Sequence, residues 1–133
     1  YETTLRCIAH IANETIRVAN ACGVRLAVMQ GTDFETLKLD SPADIPSKFP
    51  TYHKVWDQHA ALKASMLQDL EKGRATEIDF INGIVCRKGD EHGIDTPYND
   101  KVVELVKREE ATKVLHTMKN KEEFLPLLAA DEQ

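Results

Sequence analysis

The sequence predicts an all-α fold, a helical bundle, on three observations. Apolar residues recur at spacings of three and four through several long stretches. No segment alternates apolar and polar residues over about six positions as a half-buried strand would, and Arg25-Leu26-Ala27-Val28-Met29 is the nearest approach. No period of roughly twenty to fifty residues repeats, which disfavours a solenoid. With 133 residues, 42% hydrophobic and 29% charged, the chain is long enough for one core and one domain, spanning 1–133.

From Glu2 to Cys22 the residues Leu5, Ile8, Ala9, Ala12, Ile16 and Ala19 form a stripe that Cys7, Ile11 and Val18 widen, so this helix is buried on more than one side. Gly23 followed by Val24 reads as a left-handed C-terminal cap. Residues 24–50 hold three of the five prolines and read as a loop or lid with one short helix starting at Thr32-Asp33-Phe34-Glu35. From Thr51, the residues Tyr52, Val55, Trp56, His59, Leu62, Met66 and Leu70 predict a second long helix that ends at Lys72-Gly73. Thr76, with Asp79 three residues on, predicts the capped start of a third helix carrying Ile78, Phe80, Ile81, Ile84 and Val85 to His92-Gly93-Ile94. Asp95-Thr96-Pro97 opens a fourth, running to about Leu115 with Glu109 and Lys113 paired on its outer face. The segment Asn120 to Ala130 contains Pro126, which predicts a weak terminal helix or a frayed tail.

Composition excludes several classes. A formal charge of −5 with dispersed Lys and Arg argues against nucleic acid, and no apolar run approaches a membrane span. Cys7, Cys22 and Cys86 are odd in number and contain no C-x-x-C pair, so a reducing, cytoplasmic setting is expected. The histidines His10, His53, His59, His92 and His116 are too scattered for a metal pair, and no metal is expected. Signatures for phosphate loops, dinucleotide turns, zinc proteases and serine hydrolases are absent. The chain opens on Tyr1 inside a helical pattern, without a leader, and is expected to begin within a longer protein.

The stretch from Ser65 to Gly83 carries the chemistry. Glu77 falls in the first turn of its helix, yet its i+3 and i+4 neighbours are Phe80 and Ile81. Ser65 lies next to Met66 and one turn past Leu62, so its hydroxyl borders an apolar face near the Gly73 turn. Two antiparallel helices joined there would place Ser65 and Glu77 on opposite walls of one cleft, with Asn82 deeper in the helix contact and Asp69 towards solvent. From the residues alone, a purely structural role stands beside this one: Ser65 as a small packing residue, Glu77 as a complement to a helix dipole, Asn82-Gly83 as room for close helix contact.

The string from Ser65 to Asp100 resembles the hallmark stretch of the C-terminal domain of ketopantoate reductases, the 2-dehydropantoate 2-reductase family. Its elements are S-M-L-Q-D, T-E-I-D-x-I-N-G and H-G-I-x-T-P-x-N, followed by a helix ending near Lys107-Arg108-Glu109. The resemblance implies a helical domain of the 6-phosphogluconate-dehydrogenase C-terminal type. Its partner is an N-terminal Rossmann domain that holds NADPH, and the pair reduces a small 2-keto acid in pantothenate biosynthesis. It assigns Ser65 to the substrate carboxylate and Glu77 to the substrate-side catalytic network. The family's general-acid lysine and its companion asparagines have no match in this chain, and Lys63 is not their equivalent. The chain alone is accordingly expected to be inactive, to bind no NADPH, and to self-associate as a homodimer through an uncovered apolar face of its first helix. A free-standing helical dimerisation or binding module is the rival reading.

Overall fold

The computed structural model describes residues 1–133. Helix α1 (Glu2–Ala21) runs between two cores, because its apolar residues occupy more than one side of the cylinder. One side gives Leu5, Ala9 and Ile16 to a core closed by Leu37, Leu39, Ile45 and Tyr52. Cys7, on another side, joins Tyr98, Leu105, Phe124 and Leu128. Only Glu2, Arg17 and Ala21 of this helix are exposed, so the uncovered apolar face expected of it does not exist.

Gly23 takes φ +78° and ends α1 as predicted, with Val24 N–H donating to the Ala19 carbonyl. Next comes a hairpin of two-residue strands, β1 (Val28–Met29) and β2 (Thr32–Asp33), pairing Met29 with Thr32. A 3₁₀ turn (Phe34–Leu37) begins where the sequence places a short helix, and Asp33 Oδ1 accepts the Glu35 N–H at its start. A second 3₁₀ turn covers Pro42–Asp44.

The long helix expected over 51–72 is two helices. Helix α2 (Ile45–Asp57) starts earlier, on the fully buried Ile45 with Pro46 in the first turn. Pro50 is accommodated on its exposed side, losing a single i→i−4 bond. Beyond Asp57 the chain unwinds until α3 (Ser65–Glu71), because His59 and Leu62 are exposed and helices this short depend on tertiary packing.

The predicted third helix is likewise divided. Ile78–Phe80 forms a 3₁₀ turn, Ile81 departs from helical angles (φ −107°, ψ −91°), and α4 covers Asn82–Glu91. Thr76 Oγ1 receives the Ile78 N–H, but Asp79 turns outward to Lys107 Nζ at 2.7 Å, so no capping box forms. Gly73 and Gly93 repeat the ending of α1, with Arg74 N–H donating to Asp69 O and Ile94 N–H to Gly89 O.

Helix α5 (Pro97–Thr112) stops before Leu115 at Lys113, whose φ is +59°. The expected Glu109–Lys113 pair is absent: Glu109 is buried and meets His116 Nδ1, and Lys113 Nζ reaches across to Gly73 O. The tail is packed rather than frayed. After a 3₁₀ segment (Met118–Phe124), Pro126 begins helix α6 (Leu125–Asp131) instead of breaking it, and Phe124 and Leu128 are buried in the second core. Six α-helices and one two-residue hairpin make the fold all-α, as the periodicities predict. No helix is long and apolar enough to cross a membrane, the three cysteines are free, and no group of three or more His, Cys, Asp or Glu could hold a metal ion.

Candidate active-site surface

Glu77 is presented by a backbone fixed on both sides. Just before it, one oxygen of Glu110 accepts the Thr76 N–H at 2.9 Å and the Thr76 hydroxyl at 2.6 Å. Immediately after it, Ile78 is fully buried. Two further contacts reach the same segment from α5 and the residue that ends it: Lys107 Nζ to Asp79, and Lys113 Nζ to Gly73 O at 2.9 Å. Lys107 and Glu110 are three residues apart on one face of α5, and Lys113 follows at the left-handed residue that ends the helix. The hydrogen bonds from Thr76, hydroxyl first and N–H second, hold the Glu110 carboxyl below the usual carboxylate range.

With its flanks secured, the Glu77 side chain is exposed and makes no hydrogen bond within the chain. Ser65 is the first residue of α3, also exposed, and caps no backbone N–H. The two flank the Gly73 turn in sequence, no hydrogen bond joins them, and neither lines any of the five principal cavities. A free hydroxyl and a free carboxylate at a fixed turn offer a donor and an acceptor to an incoming polar molecule. Beside Glu77 the apolar side chains of Phe80, Ile81 and Ile84 face solvent, Phe80 being 80% exposed. Lys63 is engaged by Glu71.

Asn82 is half-buried and donates to Asn99 Oδ1 at 2.9 Å, a place in the helix contact that agrees with the expectation from sequence, whereas Asp69 is half-buried rather than turned fully to solvent. Asn99 is fully buried and held by an acid the sequence reading did not single out. Glu14 of α1 accepts the Tyr98 N–H at 2.9 Å, the Asn99 N–H at 2.9 Å and the Asn99 side-chain N–H at 2.7 Å. It therefore caps the N-terminus of α5 in place of Thr96, whose hydroxyl turns to Asp100. Burial pushes the Glu14 carboxyl up, against the lowering effect of these hydrogen bonds. The signal for Glu14 was an acid three residues after Ile11 and four before Val18, on the buried stripe of α1.

The residues do not fit a dinucleotide. Gly23, Gly73 and Gly93 end helices, Gly31 turns the hairpin, and Cβ atoms at Gly83 and Gly89 would meet Ile78 O at 3.2 Å and Ile94 O at 2.8 Å. None opens a strand-to-helix turn around a pyrophosphate.

Residues 2–110 match the family described as "Ketopantoate reductase PanE/ApbA C terminal". Among curated relatives, the chain is 48% identical over 54 residues to a 2-dehydropantoate 2-reductase of Archaeoglobus fulgidus, covering 41% of this chain and 18% of that protein. It is 47% identical over 58 residues to one of Shigella flexneri (44% and 19%), and 34% identical over 111 residues to one of Streptococcus pyogenes serotype M3 (83% and 31%). The chain thus spans about a fifth to a third of the length of these relatives. No solved structure matches it. A helical fold, a hallmark stretch pinned to α5, and a family match over nearly the whole chain lead to one statement: this chain belongs to the ketopantoate reductase C-terminal domain family.

Proposed function

We propose that this chain is the substrate-side domain of a cytoplasmic, homodimeric reductase that converts 2-dehydropantoate to the 2-hydroxy acid with NADPH, in pantothenate biosynthesis. The observation that carries this reading is the pairing of the family match with the presentation of Glu77, its flanking residues immobilised by Glu110 and the core while its carboxylate stays unpaired. Ser65 donates its hydroxyl to the substrate carboxylate, a charge-assisted bond. Glu77 takes the other end of the acid, near the keto or hydroxyl group, since two carboxylates repel at close range. The nicotinamide is held by a separate nucleotide-binding unit, because the glycines of this chain are committed elsewhere. Exposed Phe80, Ile81 and Ile84 supply the apolar surface on which that unit closes, shielding the space between Ser65 and Glu77 from water.

A protein carrying this chain joined to an NADPH-binding unit is expected to consume NADPH when given 2-dehydropantoate, and to lose that activity when Ser65 and Glu77 are both replaced by Ala. NADPH left untouched with 2-dehydropantoate and with other small 2-keto acids would favour the binding or dimerisation module instead.

A further inference from the structure

A second site lies away from the hallmark stretch, between the β1–β2 hairpin and the C-terminal end of α2, where a cleft of about 290 Å³ opens to solvent. Its apolar wall is Met29, Phe34 and Val55. Its polar lining is Gln30, Thr32, Lys54, Gln58 and His59, and no carboxylate is among the lining residues. In a chain of net charge −5 that is a selective arrangement. The carboxylates of the hairpin are engaged elsewhere: Asp33 accepts the Glu35 N–H, and Glu35 accepts from Leu26 N–H and Asn20. Lys54 has no ion-pair partner in the chain.

Two further features belong to the cavity wall. Thr32 is only 8% exposed, but its hydroxyl is not shut away from solvent and makes no hydrogen bond within the chain, so it is free to bond a molecule in the space that the residue lines. Gln30 holds φ +50° at the first position of a two-residue hairpin turn, followed by Gly31 at φ +75°. Asn or Gly is the low-cost choice there, so a long amide side chain kept in left-handed backbone at the cavity wall is local strain at a candidate site.

We propose that this cavity binds a small organic monocarboxylate with a short apolar end. Lys54 takes the carboxylate with help from the Thr32 hydroxyl, the Gln30 and Gln58 amides orient it, and Met29, Phe34 and Val55 receive the hydrocarbon. The site shares no residue with Ser65 or Glu77 and does not depend on the reductase reading.

The test is an amide-shift NMR titration of the full chain with isobutyrate, isobutyramide and inorganic phosphate. Isobutyrate is expected to give saturable shifts confined to residues 29–34 and 54–59. The neutral amide, which lacks the charge, and phosphate, which lacks the apolar end, should bind about tenfold more weakly or less. Lys54→Met, at an exposed position that leaves the fold intact, should weaken isobutyrate about tenfold, and Thr32→Val should weaken it severalfold. Shifts that do not saturate, shifts scattered over the surface, equal binding of the amide or of phosphate, or unchanged affinity in a folded Lys54→Met chain would each overturn the proposal.

Discussion

Glu110 holds Thr76 twice with a single oxygen, taking the backbone N–H and the side-chain hydroxyl at 2.9 and 2.6 Å, and Thr76 is the residue before Glu77. The position of a proposed catalytic carboxylate is thereby set by a second carboxylate on another helix. Positioning and chemistry are separated along the chain, so they can be separated by mutation.

Glu110→Gln should remove about 1–2 kcal/mol of stability, the worth of charge-assisted bonds at a partly exposed site. Because the Glu110 carboxyl is depressed in the folded state, its contribution is complete above the ordinary carboxylate range and is lost as pH falls through the folded value. Urea unfolding at about pH 7 and pH 3 should therefore show a smaller acid-induced loss in the variant than in the parent. An identical acid limb in both would refute the role given to Glu110.

Glu14 titrates with the opposite sign. Its carboxyl is raised by burial, so the stability tied to its protonated form is complete below the unfolded value and is lost as pH rises through the folded one. Glu14→Ala leaves the Tyr98 and Asn99 donors without an acceptor in the protein interior, a loss of about 3 kcal/mol or more. Glu14→Gln should not rescue it, since an amide nitrogen turned towards N–H donors cannot accept. Thermal unfolding of both variants checks this, and a Gln variant as stable as the parent would contradict it.

Ser65→Ala and Glu77→Ala should leave unfolding within about 0.5 kcal/mol of the parent, because both side chains are exposed and bonded to nothing in the chain. In the NADPH-linked protein, Ser65→Ala should chiefly raise KM for the keto acid through loss of about 1.5–3 kcal/mol of binding, and Glu77→Ala should lower kcat as well. Steady-state kinetics read both, and wild-type values for both variants would remove these residues from the site.

Phe80→Asp should make the isolated chain more monomeric. Phe80, Ile81 and Ile84 are neighbours in sequence with exposed apolar side chains, Phe80 the most exposed large apolar residue of the chain, whereas α1 is largely covered. Light scattering at high concentration distinguishes the outcomes, and equal masses for parent and variant would place any self-contact elsewhere.

Much of this structure was legible in the sequence wherever local chemistry governs the outcome. The periodicity of α1 and the glycine ends at 23, 73 and 93 follow from apolar spacing and from the backbone freedom of glycine, both readable within a few residues. The division of 51–72 was not legible, because Trp56, His59 and Leu62 keep helical spacing, while α2 ends at Asp57 before a run, 58–62, in which every residue is exposed. Lys113 shows the same limit at the candidate site. Its spacing from Glu109 suggests a local pair, but it instead bonds a carbonyl forty positions away in sequence. Ser65 and Glu77 are candidates through the hallmark stretch alone, whereas Glu110 and Glu14 act through long-range contacts that no window reveals.

The tail gives a further prediction. The family match ends at residue 110, but the second core continues into Phe124 and Leu128. Phe124→Ala should cost about 3–5 kcal/mol and Leu128→Ala about 2–5 kcal/mol, the range for large core truncations. A chain cut after Thr112 should expose Tyr98 and Leu105 and bind a hydrophobic dye. A truncated chain with the parent's unfolding midpoint would show the tail to be dispensable.

The reach of Glu14 has a consequence for the order of folding. Its carboxylate and the Asn99 N–H it caps are 85 residues apart in sequence, and nothing nearer satisfies the first turn of α5. During synthesis α1 emerges before α5, yet its acid remains without these donors until α5 has left the ribosome, and that loop must close before either end gains from it. One side of α1 can thus settle against Leu37, Leu39, Ile45 and Tyr52 early, while the side that carries Cys7 and Glu14 waits for α5 and is the surface a chaperone would meet.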